Sequence, residues 1–502
     1  MTPPPRPPPL ADAEARRRIR EDLDQTFVVE AAAGTGKTTA LVDRIVATVR
    51  AGRASLESTV AVTFTDRAAG EMKLRLREKL EGERAQASPG SREAARLEAA
   101  LAELEAARIA TIHAFCGDLL RERPVEARID PAFRVLPDEE RDVLLGRAFD
   151  AWFARALEAP GPGLRRVLKR RSWRRDQQNG PREFLLKAVR DLSEWRDHPH
   201  PWRRDPWDRD AELVELLPRI EEVAAMAHRA DQPERDYLAK DLLDVERWLR
   251  EVQARERVRG RDPDGLEAAL LTLARRYTRR WTGGRRRRYG EGLDRPTVLA
   301  AREAMDQALD TFAERSEADL APLLREELTP VLEALGELQR KAGGLDFLDL
   351  LLRTRDLLAS HRGVRGELQR RFDRLFVDEL QDTDPLQAEI LLLLAGDGTE
   401  EGADPPNEAG GAGGGGSSPA ATIAPASVVP APGKLFLVGD PKQSIYRFRR
   451  ADVAGYERLK AHLVAQGAEV LYLRTSFRGA PGIQAVVNQA FAQAMVPDPD
   501  GV

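Results

Sequence analysis

One short stretch constrains this chain more than any other: Ala31-Ala32-Ala33-Gly34-Thr35-Gly36-Lys37-Thr38, followed by Thr39. The apolar run at 27–31 reads as a strand, and the pattern from Lys37 onward reads as an amphipathic helix. The small residues between them let successive backbone N–H groups close around an anion at the helix N-terminus. In a loop of this kind Lys37 reaches the β- and γ-phosphates of a nucleotide, and Thr38 ligates magnesium. The usual pattern opens on glycine, where this chain has Ala31. The strand before and the helix after restore what that departure loses. Without them, a small-residue helix start with no ligand would serve as well.

Strand-like runs recur at 59–64 and 108–112, each followed by a helical pattern, which is the grammar of an α/β domain with a parallel sheet. From about 134 to 340 the chain turns to long helical stretches rich in Arg, Glu, Leu and Ala. Strand signals return at 374–378, 434–438 and 469–473, so the fold class read here is α/β, a parallel sheet interrupted by a large all-helical insertion. A chain of 502 residues exceeds what one core organises, in keeping with two or three domains. Residues 1–11 form a proline-rich tail, and 396–433 are a Gly-, Ala-, Pro- and Ser-rich stretch read as a disordered surface loop. The single cysteine, Cys116, excludes an internal disulfide and a cysteine-rich metal site. No apolar run is long enough to span a bilayer, so no membrane partner is expected and the expected location is the cytoplasm. A net charge of −4 supplies no global basic field, and any contact with nucleic acid must come from local patches.

Two further motifs follow apolar strands. In Leu375-Phe376-Val377-Asp378-Glu379 two carboxylates stand where a parallel sheet presents groups to a ligand. Asp378 is placed to hold the metal through its water shell, and Glu379 to accept a proton from water attacking the γ-phosphorus. Gly439-Asp440-Pro441-Lys442-Gln443-Ser444-Ile445-Tyr446 puts an amide, Gln443, at the same sheet edge to sense the γ-phosphate or position water. Taken singly, an acidic pair or a glutamine after a strand is a solvated turn. Three such sites recurring in one chain shift the reading toward chemistry.

Six motifs in order carry a resemblance: residues 31–38, 63–72 (TFTDRAAGEM), 111–115 (TIHAF), 377–383 (VDELQDT), 439–446 and 475–478 (TSFR). Together they resemble the superfamily 1 UvrD/Rep-type DNA helicases, nearest the RecB and AddA branch. The resemblance implies a RecA-like P-loop NTPase sheet, ATP and Mg2+ as cofactors, and a motor stepping 3′ to 5′ on single-stranded DNA in repair or recombination. It implies single-stranded and duplex DNA as partners, with a second helicase–nuclease subunit beside them. Thr63, Phe64, Thr65, Thr111 and His113 would line the strand groove by this similarity, and Tyr446, Phe448 and Arg449 would couple nucleotide state to DNA grip. Phe477 would stack on adenine, and Arg478 would reach the γ-phosphate as an arginine finger. The implied domains are 1A at 12–133 and 341–465, 1B at 134–340, and the start of 2A at 466–502. Two departures stand out. Residues 12–24 offer arginines and aspartates instead of the family's adenine-reading glutamine, and Gln25 lies too close to the strand. The chain also stops at Val502, soon after the sixth motif, so the expectation is a partial product that binds nucleotide with weak turnover and no unwinding.

The insertion carries a basic segment, Arg275 to Tyr289, in which Arg285 and Arg286 are candidate phosphate contacts while Trp281 and Tyr289 are candidate stacking platforms. Residues 165–175 form a weaker basic patch. A solvated, acid-paired loop explains the same residues equally well. Two other classes compete with the helicase reading: a P-loop ATPase acting on a non-DNA partner, and a DNA- or nucleotide-binding fragment with little motor activity.

Overall fold

The computed structural model describes residues 10–170, 180–198, 201–275, 288–290, 292–398, 427–447 and 450–492. They divide into two compact units, residues 1–135 with 345–502 and residues 136–344.

The first unit is built on six parallel strands. In chain order these are β1 (Phe27–Ala31), β2 (Thr59–Thr63), β3 (Arg108–Thr111), β4 (Arg374–Val377), β5 (Leu435–Gly439) and β6 (Glu469–Leu473). Their spatial order is β6-β1-β5-β4-β2-β3. Successive side chains of a strand face opposite sides of the sheet, and here both sides are packed. Val28, Val60, Leu375 and Leu437 enter one core, with helices Ile112–Glu122, Phe347–Ser360 and Pro385–Ala395. Phe27, Val29, Phe376 and Phe436 enter the other, with helices Lys37–Ala51, Asp66–Gln86 and Arg92–Glu103. Burial on both faces explains why the inner strands β4 and β5 read as apolar runs without alternation, whereas the edge strand β6 leaves Glu469 and Tyr472 exposed. β6 pairs in parallel with β1, Phe27 opposite Glu469 and Ala31 opposite Leu473. The second lobe expected to begin at 466 therefore cannot include this strand, because 469–473 completes the first sheet.

Among the described residues the second unit is helical, with a two-stranded antiparallel ribbon, Arg288–Gly290 with Leu293–Asp294, that corrects the expectation of an all-helical segment. Its spine is the 47-residue helix Arg295–Lys341, about 70 Å long at 1.5 Å per residue. One half contributes Val298, Met305, Leu309 and Phe312 to one core. The other half contributes Leu320, Leu324, Leu328 and Val331 to a second. Between them, Arg166 pairs with Glu267 and Asp319 at 2.8 and 2.6 Å, all three buried, and Arg170 pairs with Glu267 at 2.9 Å. The described part of the 165–175 basic patch is thus acid-paired throughout, with Arg166 buried, while Arg165 facing Asp264 and Lys169 paired with Asp262 remain exposed. Tyr289, expected as a base-stacking platform, is 3% exposed in the core. Arg285, Arg286 and Trp281 lie outside the described residues, as do 1–9 and 399–426.

Candidate nucleotide and strand site

A parallel sheet brings all its strand C-termini to one edge, and each of the six motifs follows one of the six strands. The edge is therefore where their side chains meet.

The loop after β1 turns on Gly34 and Gly36, at φ +77° and +85°, where a Cβ would be strained. Gly36 then caps the helix Lys37–Ala51. Gly34 has a second constraint, since a Cβ there would come within 2.4 Å of the Cβ of Arg478. The Thr35 hydroxyl donates to the Ala32 carbonyl at 2.8 Å, holding the loop in its turn. Lys37 is 9% exposed, and its ammonium donates to Glu379 Oε2 at 2.5 Å and to Gln443 Oε1 at 3.4 Å. Three motifs from β1, β4 and β5 thus converge on one cation.

Thr38 Oγ1 stands 3.3 Å from Asp378 Oδ2. Burial, followed by the nearby charge of Glu379, pushes the Asp378 carboxyl up to about 6, while Lys37 acts against the shift. Asp382 is raised to about 6 by the same two causes in the same order. A buried carboxylate beside a threonine hydroxyl, at the end of a strand next to the phosphate loop, fits a divalent cation. Among the described residues no group of three or more His, Cys, Asp or Glu side chains could hold a metal by itself. Such a pair suits magnesium, which keeps much of its water and takes the rest from phosphate. Glu379 adopts the left-handed region at φ +54°, unusual for a residue with a side chain. Its carboxylate is thereby placed against Lys37.

At the far side of β1, Phe477 N–H donates to the Gly34 carbonyl at 2.8 Å and Ser476 Oγ to the Ala33 carbonyl at 3.2 Å. The segment after β6 is therefore laced to the phosphate loop. The Phe477 ring is 60% exposed. Arg478 is exposed too.

Along the other end of the edge the Phe64 ring lies 4.9 Å from Tyr446, joining the segments after β2 and β5. His113, after β3, meets Phe347 edge-on at 5.6 Å. Burial lowers the His113 imidazole, which favours the neutral ring as a stacking or hydrogen-bonding group over a phosphate-pairing cation. The threonines do other work. Thr65 accepts from Ala68 N–H at 3.1 Å and Thr111 from Ala114 N–H at 3.4 Å, each capping a helix. Thr63 is buried and its hydroxyl donates to the Thr65 carbonyl at 3.0 Å. Phe448 and Arg449 lie outside the described residues.

Residues 11–463 match the UvrD/REP helicase N-terminal domain family. The chain belongs to the UvrD/REP helicase family. Among curated relatives, this family member is 27% identical to an ATP-dependent helicase/nuclease subunit of Bacillus pumilus, over 94% of this chain and 38% of that protein. It is 28% identical to the protein of the same name from Geobacillus thermodenitrificans, over 93% and 38%. For the Staphylococcus aureus protein (strain MRSA252) the identity is 25%, over 99% and 40%. The chain spans about two fifths of the length of these relatives.

In this UvrD/REP chain the structure adds residues that the motifs did not single out. The buried Asp12 carboxylate accepts from the backbone N–H groups of Arg474 and Thr475 and from Thr475 Oγ1, all at 2.9 Å, and from Arg16 at 3.0 Å. Arg16 in turn donates to the Thr35 carbonyl at 2.8 Å and lies 5.2 Å from the centre of the Phe477 ring. Burial acts to raise Asp12, but the hydrogen bonds from Arg16 and Thr475 outweigh it and hold the carboxyl far below the usual range. Gln25 faces elsewhere, donating to the Gly467 carbonyl at 2.7 Å. Phe347 is 51% exposed, and Asp346 beside it forms a capping box with Asp349.

Proposed function

We propose that this chain is the ATP-hydrolysing, strand-gripping portion of a DNA helicase–translocase. The observation that carries the reading is the shared sheet edge: Lys37, Glu379 and Gln443 meet at one end, and the aromatic rings of Phe64, Tyr446, His113 and Phe347 line the other. A motor of this class needs nucleotide and strand on one rigid frame, and the parallel sheet supplies it.

In the proposed mechanism residues 31–36 wrap the phosphates with backbone N–H groups, and Lys37 leaves Glu379 to meet the β- and γ-phosphates. Thr38 and Asp378 would hold magnesium, which when bound would neutralise charge on the phosphates. Once Lys37 has moved, Glu379 is released to take the proton of the attacking water, and Gln443 is placed to orient that water. Phe477, with Arg16 beneath it, offers a stacking surface for the base. Arg478, exposed next to it, is placed to act as the finger that meets developing charge. Phe64, Tyr446, His113 and Phe347 stack on bases without regard to sequence, as a translocase requires. Thr63, Thr65 and Thr111 shape the groove backbone through their caps and turn.

On this reading the sheet unit is domain 1A, residues 136–344 are domain 1B, and domain 2A begins after Leu473. The relatives' shared name, which marks each as one part of a helicase/nuclease, supports a second subunit, with a role in repair or recombination inside the cytoplasm. Direction is testable with biotin-tagged oligonucleotides. The full-length protein is expected to displace streptavidin from the 5′ end in an ATP-dependent manner. Displacement from the 3′ end alone would reverse the 3′-to-5′ assignment, and displacement from neither would rule out translocation.

A further inference from the structure

Gln381 lies between the two ends of the site and has no part in the mechanism above. It is 2% exposed. Its amide oxygen accepts from Asp440 N–H at 2.8 Å, and its amide nitrogen donates to Glu379 Oε2 at 2.7 Å. The orientation of the amide is not ambiguous, because the backbone N–H of Asp440 can only donate and so the oxygen must face it. The nitrogen is then directed at the carboxylate. Ser444 Oγ adds a third tie, donating to the Gln381 carbonyl at 3.1 Å. The approach of the two segments is close, since a Cβ on Gly439 would stand 3.0 Å from Gln381 Oε1. Asp440 also accepts from Gln443 Nε2 at 2.5 Å. One loop, 440–446, therefore carries Gln443, the anchor of Gln381 and the aromatic Tyr446.

We propose that Gln381 is a positioning residue that links the strand-facing loop 440–446 to the carboxylate of Glu379, so that a base engaging Tyr446 sets the geometry of water activation. This rests on the helicase reading. When a base displaces Tyr446 from Phe64, the loop moves, and the two hydrogen bonds of Gln381 transmit the motion to Glu379. A buried amide suits this role because it is rigidly held, uncharged, and able to accept from one segment while donating to the other.

The test measures ATP turnover by the full-length protein with and without saturating single-stranded DNA, for wild type, Gln381→Glu and Gln381→Met. The glutamate variant keeps the acceptor for Asp440 N–H but loses the donor to Glu379. The methionine variant keeps the side-chain length and loses both. In each, kcat at saturating DNA is expected to fall roughly 10- to 100-fold, with KM for ATP and half-saturating DNA held within about twofold. Combined with Tyr446→Ala, either variant should lose less than the product of the single losses, the signature of a shared path. A kcat within about threefold of wild type in both variants overturns the proposal. So does a loss of kcat matched by equal losses in ATP and DNA affinity, or a multiplicative double variant. If wild-type hydrolysis does not respond to DNA, the helicase reading fails and the coupling fails with it.

Discussion

Lys37 is held by Glu379 and Gln443 at once, so a single ammonium ties the phosphate loop to both the proposed base and the proposed sensor. Removing it takes away the charge that phosphates need and leaves Glu379 without its cation, held by Gln381 alone. Lys37→Ala is therefore expected to lose nucleotide binding. Glu379→Gln should bind nucleotide normally and lower kcat by about 100- to 10,000-fold, the usual contribution of a general base. Fluorescent-nucleotide titration beside steady-state turnover checks both, and an equal loss of binding in the two variants contradicts the roles. Asp12 makes a pH prediction. Its carboxyl is held below the usual range in the folded protein, so its stabilising effect is complete above the unfolded value near 4 and is lost as pH falls below it. Replacing it by Asn is expected to cost about 1–3 kcal/mol at neutral pH. Urea unfolding should show that gap narrowing in acid, and a gap constant from pH 7 to pH 3 would contradict the assignment.

At the level of elements, the segments after β2 and β5 present Phe64 and Tyr446 as a pair with rings 4.9 Å apart. Replacing either ring by alanine is expected to weaken single-strand binding by about 1–3 kcal/mol. The salt dependence of binding should be unchanged, because no phosphate charge is neutralised by a ring. A changed slope without lost affinity would assign these rings to another role. The inner strands were legible because burial on both faces favours apolar runs such as 435–438, and each of the six strands runs into a motif. The contacts that join elements were not legible. Asp12 and Thr475 lie 463 positions apart, and neither the hydrogen bond nor the Arg16–Phe477 contact leaves a periodic signal. Arg166 is acid-paired, as one of the two readings of the basic segments expected, but it is buried between Glu267 and Asp319 and not solvated. Tyr289 reads as a stacking platform in a basic stretch but packs in a core.

For the whole molecule, two units with separate cores predict separate unfolding. Calorimetry of the protein is expected to show two transitions, and Mg-ATP should raise only that of the sheet unit, by about 2.7 kcal/mol at a hundredfold excess over Kd. A single transition, or equal shifts in both, would contradict the assignment of all nucleotide contacts to one unit. The sheet gives that unit its logic, because parallel strands gather six motifs at one edge, nucleotide chemistry at one end and aromatic rings at the other. The central claim is that these two ends work together. It is tested most directly by steady-state ATP hydrolysis of the full-length protein as single-stranded DNA is titrated in. Turnover is expected to rise with DNA to a plateau and to be abolished at every DNA concentration by Glu379→Gln. Hydrolysis indifferent to DNA, or undiminished by Glu379→Gln, would contradict the account.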